Sequence, residues 1–187
     1  MTDPTVRGKT RAFLAIALTC VLLTVGCSQN GADVDSTLTQ EQAQARSVEV
    51  LGRSLSVLPA GTRLDLENPT FPQSRLPRGG FAPCYDDNTI DYGPHRFDVG
   101  YWVVGDGAHR DNLAVLVDSW GEWGWTVEDE SKDGGKRASA TTPDGYRLFA
   151  ELGTPEFLSL GGSSPCFEIE AGHTPPRAVA PWVIEQR

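Results

Sequence analysis

Hydrophobic and polar positions alternate along this chain with two periods, and each change of period marks a change of element. Leu38 precedes Thr39, Thr39 and Gln42 have capping-box spacing, and Val48, Leu51, Leu55 and Leu58 recur at helical intervals. That is the stripe of an amphipathic helix with its start signal in place. Pro59, Ala60 and Gly61 end it. Leu64 and Leu66, alternating with Arg63 and Asp65, predict one short strand. Pro69, Pro72, Pro77 and Pro83 then break any long element, so the run up to Cys84 is expected to cross the surface.

From Arg96 the period is two: Phe97, Val99, Tyr101 and Val103 lie on one face, and Trp102 and Val104 predict partial cover on the other. Asp106 is placed to cap a second helix, whose stripe is Leu113, Leu116, Val117 and Trp120, with Gly121 or Gly124 to stop it. The period then returns to two. Trp125 and Val127 start a strand, residues 131–135 make a polar turn, and residues 137–142 form a strand with the small residues Ala138 and Ala140 inward. Pro143-Asp144-Gly145 is a turn, Tyr146, Leu148, Ala150 and Leu152 alternate after it, and residues 153–156 turn the chain into a strand at 157–160. A meander with two amphipathic helices, each needing to bury a stripe, predicts an α+β fold: a two-layer sandwich, mostly antiparallel sheet, with two helices on one face. Beyond Ala171, Pro175, Pro176 and Pro181 predict an extended, partly disordered tail.

The N-terminus belongs to none of this pattern. Arg7, Lys9 and Arg11 are followed by an almost wholly apolar run at 12–25, and Thr24-Val25-Gly26-Cys27 closes it with small residues before a cysteine. The order is that of a secretory signal, and the run is shorter than the roughly 20 residues of a membrane-spanning helix. It resembles the lipobox of bacterial lipoproteins, with Thr24 where that pattern has an aliphatic residue. The resemblance implies cleavage after Gly26 and acylation of Cys27 with diacylglycerol and palmitate, and two or more chains hold a protein firmly at a membrane. The expected organisation is a signal peptide at 1–26, a polar tether at 27–37, one domain at 38–170 and a Pro-rich tail at 171–187.

Of the four cysteines, Cys20 leaves with the signal and Cys27 carries lipid, so Cys84 and Cys166 remain in a compartment that permits disulfides. A bridge between them is expected; two separate buried thiols are the alternative. The net charge is −9, and loss of Arg7, Lys9, Arg11 and Asp3 with the signal takes it to −11. Nucleic acid and anionic surfaces are poor partners for such a chain.

The combination of a lipobox, a helix, Cys84, a strand and helix, Gly124-Trp125-Thr126, an aromatic strand at 146–149 and Leu160-Gly161-Gly162-Ser163-Ser164-Pro165-Cys166-Phe167 resembles the small mycobacterial and actinobacterial lipoproteins of the LppA-like kind. The resemblance implies a cell-envelope protein with one disulfide and no catalytic residues to transfer. Among candidate sites, Trp102, Trp120, Trp123 and Trp125 form an aromatic group; Trp120 and Trp125 are in phase with the core, which leaves Trp123 as the candidate glycan contact. Asp86, Asp87, Asn88 and Asp91 lack the glycine and closing glutamate of a calcium loop, so neither metal nor cofactor is expected. His95, His109 and His173 are the histidines; His95 and His109 flank a strand of about 25 Å that keeps them apart. Ser163-Ser164 lies in a turn, not a nucleophile elbow, so the chain is not expected to be an enzyme. The reading is a lipid-anchored, extracytoplasmic accessory or binding module, its partner an envelope protein; a cell-wall glycan binder and a carrier of apolar ligands, with a cavity left by Ala138 and Ala140, are the alternatives.

Overall fold

The computed structural model describes residues 34–85, 92–105, 107, 109–131, 136–153, 156–170 and 179–186. Helix α1 runs over Gln40–Leu55, and its start is as the sequence predicts: Thr39 accepts from the Gln42 N–H, and the Gln42 side chain accepts from the Thr39 N–H at 2.9 Å. Leu51, Leu55 and Leu58 of the predicted stripe are buried, and the face is shifted at Val48. Ala43, Ser47, Val50, Leu51, Ser54 and Leu55 point into the core, Val48 does not, and Leu58 is buried beyond the helix end. Two serines are admitted because their hydroxyls donate to helix carbonyls, Ser47 to Ala43 at 2.8 Å and Ser54 to Val50 at 3.1 Å.

Strand β1 (Arg63–Asp65) follows as expected, but the stretch read as a surface run holds a single 3-10 turn at Pro72–Ser74 and a strand, β2 (Gly80–Pro83). Strand β3 (Gly93–Val104) is the spine of the sheet, with every second residue from His95 to Val103 buried. Helix α2 (His109–Glu122) buries Leu113, Leu116 and Trp120. It ends in a Schellman motif: Gly124, at φ 74, donates to Gly121, and Trp125 donates to Trp120, each at 3.0 Å. Trp125 is therefore a helix-cap residue, and strand β4 starts after it. Asp106, the expected N-cap of α2, lies outside the described residues.

Strands β4 (Thr126–Asp129), β5 (Lys136–Thr141), β6 (Arg147–Leu152) and β7 (Leu158–Ser163) form the meander, then come β8 (Phe167–Ile169) and β9 (Val183–Glu185), both unforeseen. The strand order is β4-β5-β6-β7-β3-β1-β9, with β2 and β8 also on β3. Every pair between named strands is antiparallel. Helix α1 packs on β3, β7 and β9, and α2 on β4 to β7. The two helices share one face of the sheet, the α+β sandwich the pattern predicts. The buried Trp120 Nε1 joins them by donating to Ser54 Oγ at 2.9 Å.

Both ends of the domain depart from expectation. Val34, inside the expected tether, forms a parallel bridge with Cys166, and the Asp35 N–H donates to the Cys166 carbonyl at 2.8 Å. Residues 179–186, in the expected partly disordered tail, are tied into the domain. Ala180 is buried, Tyr101 Oη donates to the Pro181 carbonyl at 2.9 Å, and β9 pairs with β1. Gln186 finishes α1. Its side-chain nitrogen donates to the carbonyls of Leu55, Leu58 and Pro59, and its oxygen accepts from the Gly61 N–H. The Leu55 carbonyl belongs to the last turn of α1, and those of Leu58 and Pro59 to the turn that follows it.

Candidate functional site

The sheet has one face under the helices and a more open face, covered in part where Trp102 donates to the Ser74 carbonyl and Leu76 lies by Gly100, and the open face carries the site. A glycine floor sets its shape. Gly100 and Gly161 are directly opposite across β3 and β7, and Phe149 of β6 is opposite Gly161. A Cβ at Gly161 would sit 2.2 Å from the Phe149 ring and 3.0 Å from the Val99 carbonyl, so only glycine admits the ring there. Beside it Gly79, at φ 83, lies over Phe97, where a Cβ would be 2.6 Å from that ring. Leu76, Pro77, Phe81 and Phe149 line the groove of about 490 Å³ that results.

Asp98 lines this groove, and the charged groups on its own and the neighbouring strands are matched to one another. Arg96 Nε lies 3.2 Å from both Asp98 oxygens, and Ser163 Oγ donates to Asp98 at 2.6 Å. Glu130 accepts from Ser139 Oγ at 2.6 Å, from Arg147, and from Arg137 at 3.2 Å. The Ser139 hydrogen bond, helped by Arg147 and Arg137, holds the Glu130 carboxyl below the usual glutamate range. The Arg137 guanidinium sits 5.5 Å from the Phe149 ring centre. An aromatic surface among fixed guanidinium, carboxylate and hydroxyl groups suits a ligand with one apolar side and several polar groups. Exposed ion pairs of this kind are worth little for stability, about 0–1 kcal/mol each.

The predicted residues fall as follows. Cys27 lies outside the described residues, as do Asp86, Asp87, Asn88, Asp91 and His173. Cys84 and Cys166 are bridged, with Cα atoms 6.3 Å apart, and the bond ties the end of β2 to the segment between β7 and β8. Trp120 and Trp125 are core, and Trp102 donates to the Ser74 carbonyl at 2.9 Å. Trp123 has a packing role the sequence did not show: it is half-buried, edge-on to Trp125 at 4.9 Å, with the Arg53 guanidinium 4.1 Å from its ring centre. His95 and His109 stand at opposite ends of β3. His95 Nδ1 is 2.9 Å from the Gly93 carbonyl, and His109 packs against Phe157. Among the described residues no group of three His, Cys, Asp or Glu is placed to hold a metal. Ala138 and Ala140 are buried where α2 packs on β5.

The glycine-rich run at 160–167 accounts for itself residue by residue. Leu160 and Phe167 are core, Gly161 underlies Phe149, and a Cβ at Gly162 would touch Leu51 of α1 at 3.8 Å. Ser163 holds Asp98, Ser164 Oγ accepts from the Phe97 N–H at 2.9 Å, and Cys166 carries the bridge. Neither serine is set up as a nucleophile. Sequence reasoning missed Trp182, which is 45% exposed with Arg75 and Arg78 guanidinium groups 5.1 and 5.0 Å from its ring centre. The available signal was the apolar cluster Trp182-Val183-Ile184, passed over because three prolines surround it.

No helix among the described residues is long and apolar enough to cross a membrane. No family model matches the chain, and no curated protein matches it. Among solved structures, one bearing the name lipoprotein LppA, from Mycobacterium tuberculosis, is similar to it at 17% sequence identity and a TM-score of 0.45, over 75% of this chain and 88% of that chain. A likeness of that degree decides neither ligand nor activity.

Proposed function

We propose that this protein is a non-enzymatic binding module held by lipid on Cys27 at the extracytoplasmic side of the cell membrane, with the open face of its sheet turned to a partner in the envelope. The observation that carries the binding reading is the glycine-floored groove around Phe149, an apolar surface on a sheet face whose other side already supplies the core. The charges around it are engaged with one another and serve as oriented donors and acceptors. The extracytoplasmic placement rests on the signal-like N-terminus and on the Cys84–Cys166 bridge, which belongs to an oxidising compartment. Cys27→Ser is expected to release the protein from the membrane fraction and to leave an uncleaved or aberrantly cut precursor. Detergent partitioning reads this directly; aqueous partitioning of both wild type and variant ends the anchoring proposal.

A cell-wall glycan is the second reading, favoured by an aromatic ring flanked by paired guanidinium and carboxylate groups. Retention of the full chain on immobilised cell-wall polysaccharide, lost in Phe149→Ala, would establish it and would place the contact on the open face. Loss in Trp123→Ala with retention in Phe149→Ala would move it to the α1 side.

A further inference from the structure

The two edges of the sheet are built differently, and the difference points to a partner for one of them. The β4 edge presents Thr126, Glu128 and Asp129 to solvent, so a second strand laid there meets carboxylates. Inserting charge is the usual way an edge is kept single. The β9 edge presents Val183 and Ile184, both half-buried, and one acid, Glu185, which stands opposite Arg63 of β1. The Leu66 N–H donates to the Trp182 carbonyl directly across the pair, at 3.1 Å. Bonded pairs alternate in an antiparallel ladder, so residues 182 and 184 face β1, while Val183 and Glu185 turn their N–H and C=O outward. No described strand takes them up.

A groove of about 530 Å³ adjoins this edge, between α1 and β9, with Val48, Gly52 and Ile184 on its floor and Glu49, Arg53 and Glu185 at its rim. Val48 is the residue that the helical pattern assigns to the core and that the fold leaves out of it. Ile184 reaches across so closely that a Cβ on Gly52 would be 3.8 Å from its Cγ2.

We propose that the occupant is a second copy of this chain, joined antiparallel edge to edge through β9 about a two-fold axis at Ile184. This goes beyond the binding function proposed above and does not depend on it. The charges along this edge favour this occupant. Rotation about Ile184, which lies beside Gly52, sets the two α1 helices antiparallel, so Glu49 of one copy, paired with Arg46 at 2.8 Å, approaches Arg53 of the other, whose guanidinium lies over Trp123. It also sets Glu185 against Val183 of the other copy and not against a second acid. Outward N–H and C=O groups of Val183 and Glu185 are self-complementary under the same rotation, as an isologous contact requires. Anchoring at Cys27 helps: a common membrane confines the copies, which raises their effective concentration.

The test is thiol cross-linking of the full chain in its own membranes. At the axis the two Ile184 Cα atoms form a non-bonded antiparallel pair, about 4.5 Å apart and inside the disulfide range. Ile184→Cys is expected to run mainly as a dimer on non-reducing gels, at least tenfold over Thr126→Cys at the opposite edge. Adding Val183→Pro, which removes only an outward-facing N–H, is expected to abolish the dimer. Should Ile184→Cys fail to accumulate, exposed Glu185→Cys treated with a short bis-maleimide, which adds one thiol at each end, gives the same comparison with Thr126→Cys. Monomer from the β9-edge cysteine that accumulates, or equal cross-linking from both edges, overturns the proposal. Cross-linking to a different protein alone overturns it as well and makes the edge a site for a foreign strand.

Discussion

Strand β4 and strand β9 close the same sheet at opposite ends, yet they are held by different means. β4 pairs with the next strand in the chain over a register of Thr126↔Thr141 to Asp129↔Ala138. It follows a helix whose stop is written in Gly124. β9 pairs with β1, the first strand of the chain, Arg63↔Glu185 to Asp65↔Val183, and hydrogen bonds from outside the ladder set it in place: Tyr101 to Pro181, Arg78 to Ala180, Gln186 to the end of α1. The contrast teaches that a local edge follows from period and turn residues, whereas a non-local edge follows from which backbone groups elsewhere lack partners.

The largest expected effect belongs to neither edge. Cys84→Ser with Cys166→Ser opens a cross-link spanning 82 positions, and the chain-entropy model gives a loss of about 4.5 kcal/mol. Because the bridge lies against β3, between the edges, chemical denaturation should show the loss globally, and amide exchange should keep the same order of protection among the strands. A selective loss at one edge would mean that the bridge serves that edge.

Deleting residues 179–187 tests the non-local edge itself. It uncovers Leu64 and Leu66 and removes the Gln186 hydrogen bonds to the carbonyls of Leu55, Leu58 and Pro59, an expected loss of about 3 kcal/mol from apolar exposure and lost hydrogen bonds together. Exchange of the β1 amides should rise while β5 and β6 stay protected. Gln186→Ala isolates one part of that effect: about 1–2 kcal/mol, read as a lower urea midpoint and faster exchange in the last turn of α1. At the local edge, Glu128→Gln should change stability by less than about 0.5 kcal/mol, since its contact with Arg147 is an exposed ion pair. A larger change would show that the acids of β4 do more than ward off other strands.

These comparisons also mark how far the sequence could be read. The capping box at Thr39 and Gln42, the alternation from Phe97 to Val103 and the turn at Gly145 are local signals, and each element they predict is present. Leu51, Leu55 and Leu58 are buried as predicted, but Val48 is not, because Ser47 and Ser54 count as polar by composition, while their hydroxyls are satisfied inside the helix and sit in the core. β9 was missed because Val183 and Ile184 are too short a run to signal a strand without knowledge of β1. The open-face groove was invisible for a related reason. Phe149 reads as an outward residue on an alternating strand, and nothing local shows that Gly161 and Gly100 lie beneath and beside it. The bridge of Cys84 to Cys166 was legible because elimination left one pairing.

The bridge of Val34 to Cys166 has a mechanical consequence. Tension applied to the chain ahead of Val34 enters the domain through the Asp35 N–H and the Cys166 carbonyl, beside a covalent cross-link that reaches the strand adjoining β3. The load is thus delivered to β2 and β3, two of the strands that line the groove on the open face, and the edge strands β4 and β9 lie off that path. A domain pulled from this end passes the tension to the groove before it reaches either edge of the sheet.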